Sequence, residues 1–418
     1  MRANDPVPHA LRVLVAVWLV AVSISFSPPA GGQSVPPPTP VPPAGSPSPF
    51  PSTLDTPEPS RRPPRLSAPS SILLDLDSGG VLFEEVATER RPIASLTKIM
   101  TALVVLEATS PRDLVTASAT AVTQSGAELG LEAGEQLPVR ELVYALMLQS
   151  ANDAAVALAE HVSGSVAAFV DRMNRRARQL GLSDTRFASP NGLDDSGYST
   201  AADLAALTTE AYRAPGFARI AATRFREIPA PSGEPRRIQN RNALLWLYPG
   251  AIGVKTGYTS AAGFCLVAVA DRDGLRLATV ILGAPTEAFS DAAEVLNFGF
   301  AAYQRRTLVQ AGQPFEPFEV DGRGVPVVAE ESVEALIRRS QDVVVTVHPH
   351  DGLSLPVVEG ESVGSVRVAS EGMTLGEVRL IAAVTVGRAP AGAEPAWWSR
   401  TWTDVIDWVD LVSRMLFG

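Results

Sequence analysis

The sequence predicts an α/β (α+β) fold, in which an antiparallel sheet is flanked by helices and followed by a small all-β domain and an amphipathic C-terminal helix. Strand candidates at both ends of residues 70–306 enclose a series of helix candidates, which is typical of a sheet covered by helices. Between residues 307 and 390 the helix signals almost vanish, and short valine-rich runs alternate with glycine-rich turns. After Pro395, apolar residues recur at helical spacing. A length of 418 residues suits two or three domains.

Residues 1–30 are predicted to be a secretory signal. Arg2 and Arg12 accompany the apolar run Val13–Phe26, and small residues follow it, which is the usual order of a signal peptide. The run is short for a membrane span of about 20 residues. We expect cleavage near Ala30, and the alternative is an uncleaved anchor.

Residues 31–69 are predicted to be a proline-rich linker. Of the 35 prolines in the chain, 16 lie between Pro28 and Pro69, mixed with Ser, Thr and Gly. Such a composition cannot form a packed core and favours a semi-rigid tether of polyproline II type. An unselected disordered tail is the alternative interpretation.

Residues 70–306 contain the elements of the predicted sheet and its covering helices. Ser71–Asp77 and Val81–Val86 predict paired strands, because a Ser-Gly-Gly turn separates them. Pro92 precedes the apolar helix candidate Ile93–Leu106, and proline is favoured in the first turn of a helix. Further helices are predicted at Arg140–Gln149, Asp153–Val162, Val166–Leu180, Ala201–Tyr212 and Ala288–Tyr303. A hairpin is predicted from Gly263–Ala270 and Leu275–Leu282.

Residues 307–390 are predicted to form the all-β domain. Its strands are predicted at Val343–Val347, Val363–Val368 and Arg379–Val386. The string His348-Pro349-His350 lies in this region. Two histidines that flank a proline on a turn are more often solvated than bound to a metal, so we predict no metal site there.

Residues 395–418 are predicted to form an amphipathic helix. The apolar positions are spaced four, three, four, three and four residues apart, which places them on one helix face; they are Trp398, Trp402, Val405, Val409, Val412 and Leu416. Trp and Leu on one face with charges opposite favour a helix that lies on a membrane surface. The alternative is a helix that packs against its own protein.

The composition excludes several classes of function. The formal net charge of −10 argues against a nucleic-acid partner, because phosphate backbones are bound by clustered Lys and Arg. The single cysteine, Cys265, excludes an internal disulfide framework and a cysteine-rich metal site. From the predicted leader and the predicted C-terminal helix we expect an extracytoplasmic protein, peripheral on the outer face of the membrane, and we expect neither metal nor cofactor.

The use of lysine singles out two positions. Of the 35 basic residues, 33 are Arg, and Lys98 and Lys255 are the only lysines. In Ser95-Leu96-Thr97-Lys98 a hydroxyl and an amine stand three residues apart, on the same face of a helix. A serine hydroxyl needs a base to become a nucleophile, and a neutral lysine can be that base, whereas arginine stays protonated in proteins. The motif predicts Ser95 as nucleophile and Lys98 as base.

Two further motifs follow in the chain. Ser150-Ala151-Asn152 offers a hydroxyl and a carboxamide, which suit proton relay and orientation of a substrate amide; an ordinary helix cap is the alternative for this pair. Lys255-Thr256-Gly257 places a cation and a hydroxyl beside a glycine, a set that can hold a carboxylate while a substrate backbone lies against the strand.

The order Ser-x-x-Lys, Ser-x-Asn, Lys-Thr-Gly resembles that of the penicillin-binding proteins and class A β-lactamases. Longer strings resemble the low-molecular-mass penicillin-binding proteins, the serine-type D-alanyl-D-alanine carboxypeptidases, from about residue 70 to the C-terminus; they are SLTKIMT at 95–101, SANDAAVALAE at 150–160, SPNGL at 189–193, NRN at 240–242, LLW at 244–246 and KTGYT at 255–259. The resemblance implies a β-lactamase/transpeptidase-like fold. It also implies peptidoglycan stem peptides as substrates and β-lactams as inhibitors.

The resemblance implies a role for each motif residue. Ser95 would attack the penultimate D-Ala carbonyl and Lys98 would be the base, while Ser150 and Asn152 would move protons and position the peptide. The set implied to bind the substrate is Asn152, Lys255, Thr256, Gly257, Tyr258 and Arg276. Within this set, Lys255, Thr256 and Arg276 would hold the terminal carboxylate. The backbone amides of Ser95 and Tyr258 would stabilise the oxyanion.

Two positions depart from the family pattern, and three other functions compete with the carboxypeptidase interpretation. Asn191 stands where the family often has His, and Ile252 stands where it often has Asp; both positions are expected to be structural. A class A β-lactamase would need a Glu-x-x-Leu-Asn string before Lys-Thr-Gly, but the string Glu294–Asn297 follows it. A Ser-His-Asp hydrolase would have to use His161. The third rival is a non-catalytic wall-binding protein, which the intact Ser95 and Lys98 disfavour.

Overall fold

The computed structural model of the protein describes Leu54 and residues 60–286 and 288–388. The predicted signal at residues 1–30, most of the predicted linker and the predicted helix at 395–418 lie outside these described residues. In the described part of the chain, no single helix has the length and apolarity to cross a membrane. One pair of helices, at residues 152–163 and 166–179, meets the criterion jointly by length and composition but is bent by 83°.

The described residues contain eight α-helices and sixteen strands. The helices are α1 (Lys98–Ala108), α2 (Val139–Leu148), α3 (Asn152–Ser163), α4 (Val166–Gln179), α5 (Ala201–Arg213), α6 (Phe217–Ala222), α7 (Leu244–Leu247) and α8 (Phe289–Ala302). The strands are β1 (Ser70–Asp75), β2 (Val81–Glu85), β3 (Leu114–Thr116), β4 (Gln136–Pro138), β5 (Phe225–Ile228), β6 (Arg236–Gln239), β7 (Ala251–Thr259), β8 (Gly263–Arg272), β9 (Leu275–Ala284), β10 (Tyr303–Val309), β11 (Pro314–Val320), β12 (Arg323–Ala329), β13 (Val333–Arg338), β14 (Val344–Pro349), β15 (Ser362–Ser370) and β16 (Met373–Ala382).

The central sheet has the strand order β2-β1-β9-β8-β7, and every neighbouring pair is antiparallel. All six residues of β1 are buried, because helices cover both faces of the sheet. Successive side chains of a strand point to opposite faces: Ile72 and Leu74 belong to the apolar core that includes α1, α3 and α5, whereas Leu73 belongs to the core that includes α8. The predicted helix-covered antiparallel sheet is confirmed.

The predicted helix at Ile93–Leu106 has two parts in the structure. Residues Ala94–Thr97 form a 3-10 turn, and α1 begins at Lys98. Every residue of α1 from Lys98 to Val105 is buried, which explains why this part of the sequence is apolar without a polar face. A helix buried on all sides is a rigid support for the residues at its N-terminus.

The C-terminal part is all-β, as predicted. A five-stranded sheet of order β11-β12-β16-β15-β14 and the pair β10–β13 surround a separate apolar core. The four strands between Tyr303 and Arg338 were not located from the sequence, because charged residues of their exposed faces interrupt the valine-rich pattern. The strand predicted at Arg379–Val386 is displaced, since β16 ends at Ala382. The domain boundary at residue 306 stays a prediction, and β10 extends across it.

Candidate active site

Ser95 lies in the 3-10 turn that leads into α1. Its neighbour Ala94 has a left-handed backbone, with φ of 47°, a conformation that is uncommon for residues other than glycine. Buried Leu96 and Ile99 fasten the turn to the core, while Ser95 itself stays partly exposed. The turn therefore presents the hydroxyl to solvent from a fixed backbone.

Lys98 is buried directly beneath this hydroxyl. Its Nζ donates to Ser95 Oγ at 2.9 Å, to Asn152 Oδ1 at 2.8 Å and to the carbonyl oxygen of Asn191 at 2.5 Å. Burial lowers the pKa of Lys98 well below its ordinary value, and the positive charges of Lys255 and Arg241 lower it further. The neutral amine is thereby favoured, which is the form that can accept the serine proton.

Ser150 and Asn152 enter the site at the start of α3. Ser150 has φ of 66° and is buried, so the chain turns sharply between α2 and α3 at this point. Besides accepting from Lys98, Asn152 donates from Nδ2 to the carbonyl of Ser125 at 2.7 Å. Its carboxamide therefore joins the base to the loop on the other side of the site.

Strand β7 supplies the third motif from the edge of the sheet. Lys255 is buried, and its Nζ donates to the carbonyl of Thr256 at 2.9 Å. Burial, with the positive charge of Arg241, lowers the pKa of Lys255 to about 7. At Gly257 a Cβ would lie 3.1 Å from the backbone nitrogen of Ser95. Glycine therefore lets the strand lie close against the turn that carries the nucleophile, where a side chain would be crowded.

A cleft of about 200 Å³ opens where these three parts meet. Of the predicted residues, the lining includes Ser95, Ser150, Asn152, Thr256, Gly257 and Tyr258. Leu193, Tyr258 and Phe264 form an apolar side of the cleft; the last two rings lie 4.5 Å apart between centroids. The structure therefore brings the three motifs to one cavity, with the amines of Lys98 and Lys255 buried beside it.

Arg276 is not brought to this cavity. Its guanidinium pairs with Asp77 in the turn between β1 and β2, and it lies opposite Asp271 across the β8–β9 pair. In the same register Leu266, the partner of Thr256, lies opposite Ile281. Arg276 thus precedes Ile281 by five residues in β9 and lies toward the other end of the sheet. The sequence predicted the correct hairpin for Arg276 but not the register of its two strands. Arg276 is therefore not part of the proposed site.

Arg241 is the cation that lines the cleft, and the sequence analysis gave it no role. It lies between β6 and α7 and is half-buried, and burial lowers its pKa. Its Nε has no hydrogen-bond partner among the described residues. The available signal was its place in the family-like string Asn240-Arg241-Asn242.

The two departures from the family pattern also have defined contacts. Asn191 supplies the carbonyl that accepts from Lys98, and its side chain donates to Gln124 Oε1 at 3.1 Å. Ile252 lies at the far end of β7, where its carbonyl accepts from the hydroxyl of Tyr212. Asn191 therefore contacts the base directly, whereas Ile252 has a backbone role.

The residues of the rival mechanisms lie away from the cleft lining. His161 is exposed in the last turn of α3. Glu294 is on α8, where its carboxylate interacts with the backbone of Arg65 and its pKa is raised by burial. In the same string, Asn297 accepts from the hydroxyl of Tyr248, which makes this a packed helix.

Known proteins resemble this chain in both sequence and fold. The D-alanyl-D-alanine carboxypeptidase family, Peptidase S11, matches residues 58–286. DacF of Bacillus subtilis is 32% identical over 74% of this chain and 83% of its own length, and DacC of Escherichia coli is 32% identical over 85% and 90%. The crystal structure of penicillin-binding protein 5 from Haemophilus influenzae superimposes with a TM-score of 0.61 at 31% identity, over 78% of this chain and 99% of that one. The chain therefore belongs to the D-alanyl-D-alanine carboxypeptidase family of serine peptidases.

Proposed function

We propose that this member of the family removes the terminal D-Ala from peptidoglycan stem pentapeptides through an acyl-enzyme on Ser95, and that penicillin acylates the same residue. The observation that carries the proposal is the 2.9 Å hydrogen bond between Ser95 Oγ and the Nζ of a fully buried lysine. Nucleophile and base stand within reach of each other, and the base has a pKa lowered toward its working range.

In the proposed acylation, the neutral Lys98 amine accepts the Ser95 proton while Oγ attacks the carbonyl carbon of the penultimate D-Ala. The oxyanion accepts hydrogen bonds from the backbone amides of Ser95 and Tyr258. Collapse of the intermediate breaks the peptide C–N bond, and the departing D-Ala amine receives a proton relayed by Ser150. Water then hydrolyses the ester, and Ser95 recovers its proton. Asn152 holds the Lys98 amine throughout.

Strand β7 is proposed to bind the substrate backbone. It is the edge strand of the central sheet, so one side of its backbone is open to an extended peptide. The terminal carboxylate would be held by the Thr256 hydroxyl with the positive charges of Lys255 and Arg241. This set replaces Arg276 in the predicted site.

Substitutions of Arg241 and Arg276 are expected to have different effects on the KM for substrate. Arg241→Gln should raise KM for the pentapeptide about 10–100-fold, because a hydrogen bond to a charged group contributes roughly 1.5–3 kcal/mol. Arg276→Gln, the matched control, should leave KM near the native value, since it removes only a contact with Asp77. Steady-state kinetics of both variants tests the assignment. A raised KM in the Arg276 variant alone would restore the role first predicted from the sequence.

The direct test of the proposed activity is to incubate the full protein with a stem pentapeptide and to assay released D-Ala. Mass spectrometry after brief exposure to penicillin separates the rivals. A carboxypeptidase holds the acyl group on Ser95 and loses it slowly, a β-lactamase regenerates quickly, and a non-catalytic binder stays unmodified. Release of D-Ala with no covalent adduct would contradict the serine mechanism.

We also propose that the predicted signal at residues 1–30 exports the enzyme and that the predicted amphipathic helix at residues 395–418 holds it on the membrane surface through its apolar face (the stripe). Each stripe residue would contribute part of the roughly 1.5–3 kcal/mol of a fully buried side chain. Deleting Trp397–Gly418 should therefore release a soluble extracytoplasmic protein with its peptidase activity largely intact. Membrane flotation of both forms, each with its N-terminus sequenced, tests this. A truncated form that floats with its leader attached would make the N-terminal segment the anchor.

A further inference from the structure

One wall of the cleft is a segment without regular structure. Residues 125–131 form neither helix nor strand, yet Gly126 and Ala127 line the cleft opposite β7. We call this stretch the wall segment. A wall made of irregular backbone keeps its shape only if side chains elsewhere satisfy its amides and carbonyls.

The carboxylate of Asp153 supplies most of these contacts. It accepts the backbone amides of three consecutive wall residues, Leu129 at 2.9 Å, Gly130 at 2.9 Å and Leu131 at 3.1 Å. It also accepts the amide of Ala154 in the first turn of α3. The side chain is only 2% exposed, so these four amides take the place of solvent around a buried charge.

The neighbours of Asp153 extend the same connection. The Asn152 amide donates to the carbonyl of Ala127 at 2.7 Å, and its carboxamide bonds to both Ser125 and Lys98 Nζ. Gln149 Nε2 donates to the carbonyl of Glu128. Asn152 therefore contacts both the wall segment and the base, and Gln149 adds a further contact to the wall segment.

We propose that Asp153 is a positioning residue of this active site, which fixes the wall segment against the substrate. The proposal rests on the proposed function. Asp153 is not among the residues that line the cleft, so it acts through the wall segment and through its charge.

The charge of Asp153 predicts a pH effect that a loss of packing alone would not produce. Burial lowers the pKa of Lys98, the charges of Lys255 and Arg241 lower it further, and the charge of Asp153 raises it. Replacing Asp153 with a neutral residue removes an influence that raises this pKa. Activity depends on the neutral amine and increases as the pH rises through the pKa of Lys98. The acid limb of kcat/KM should therefore move to lower pH in Asp153→Asn.

The experiment compares Asp153→Asn with Glu128→Gln in the full protein. Glu128 is an exposed carboxylate of the wall segment, and its side chain takes no part in the contacts above. We expect Asp153→Asn to lose about 10²-fold in kcat/KM, mainly through KM, with its acid limb displaced to lower pH. Hydrogen exchange at the amides of residues 129–131 should become faster. Glu128→Gln should match the native protein in all three measurements.

Gln149→Ala provides a second variant should Asp153→Asn fail to fold. It removes one contact to the wall segment and should raise KM several-fold, with faster exchange in the same segment and an unchanged acid limb. The proposal is overturned if loosening the wall leaves KM unchanged, or if a folded Asp153→Asn protein keeps the native acid limb. Absence of D-Ala release from the native protein would instead refute the proposed function, and the exchange measurement remains informative in that case.

Discussion

Ser95→Ala is expected to abolish both D-Ala release and covalent labelling by penicillin. The two reactions share one nucleophile, and removal of a catalytic serine hydroxyl lowers turnover by as much as about 10⁶-fold in a serine peptidase. The hydroxyl is also one of the three acceptors around Lys98 Nζ, and the other two keep the lysine in place. The variant should therefore fold and still bind substrate.

Ser260→Ala is the matched control, because Ser260 is an exposed serine in the turn that follows β7. D-Ala assays and mass spectrometry of the penicillin adduct on both variants test the assignment. Full-strength labelling of the Ser95 variant would show that another residue is the nucleophile.

Lys98→Arg is expected to reduce kcat by about 10²–10⁴-fold, the range that general-base catalysis usually contributes. Arginine keeps the approximate length and the protonated form of lysine but cannot release its proton. Burial and two neighbouring cations favour the neutral lysine, and the variant loses that form entirely. Single-turnover acylation by penicillin is the measurement, since it isolates the step in which the base acts.

Lys255→Arg provides the comparison within the same site. A cation suffices to hold a carboxylate, so this variant should lose less acylation rate than Lys98→Arg and should be affected mainly in substrate affinity. Near-normal turnover by the Lys98 variant would overturn the proposed role of Lys98. If Lys255→Arg loses more acylation rate than Lys98→Arg, Lys255 would be the base and Lys98 the cation that holds the carboxylate.

The sequence revealed most of the catalytic fold because apolar residues recur in its elements at helical spacing or in continuous strand-length runs. The predicted helix at Val166–Leu180 is α4 at Val166–Gln179, and the predicted hairpin is β8–β9 with both strands two residues longer. Strands of the all-β domain have one solvated face, as in β13, where Val333 and Ile337 are buried and Glu334 is exposed. Such strands combine charged and apolar residues, and only the most valine-rich were located.

The site was predicted where motif residues are close in sequence, and less well where distant segments meet. Ser95 and Lys98 share one turn and the start of α1, so their contact followed from helical spacing. The position of Arg276 depends on the register of β8 and β9, and spacing along the chain does not reveal that register. The carbonyl of Asn191, a backbone group 93 residues from Lys98, carries no sequence signal at all.

The burial of two lysines beside one cleft also has a thermodynamic consequence. An unfolded chain lets Lys255 titrate near its ordinary value of 10.5, whereas the folded protein lowers that pKa to about 7. Between these two values the unfolded state binds more protons than the folded state, so the free energy of unfolding increases as the pH rises. Below that interval the folded protein must accommodate an ammonium group that water would solvate better. The cavity that prepares Lys98 for catalysis therefore lowers the folding stability of the protein at and below neutral pH, which is a trade-off between activity and stability.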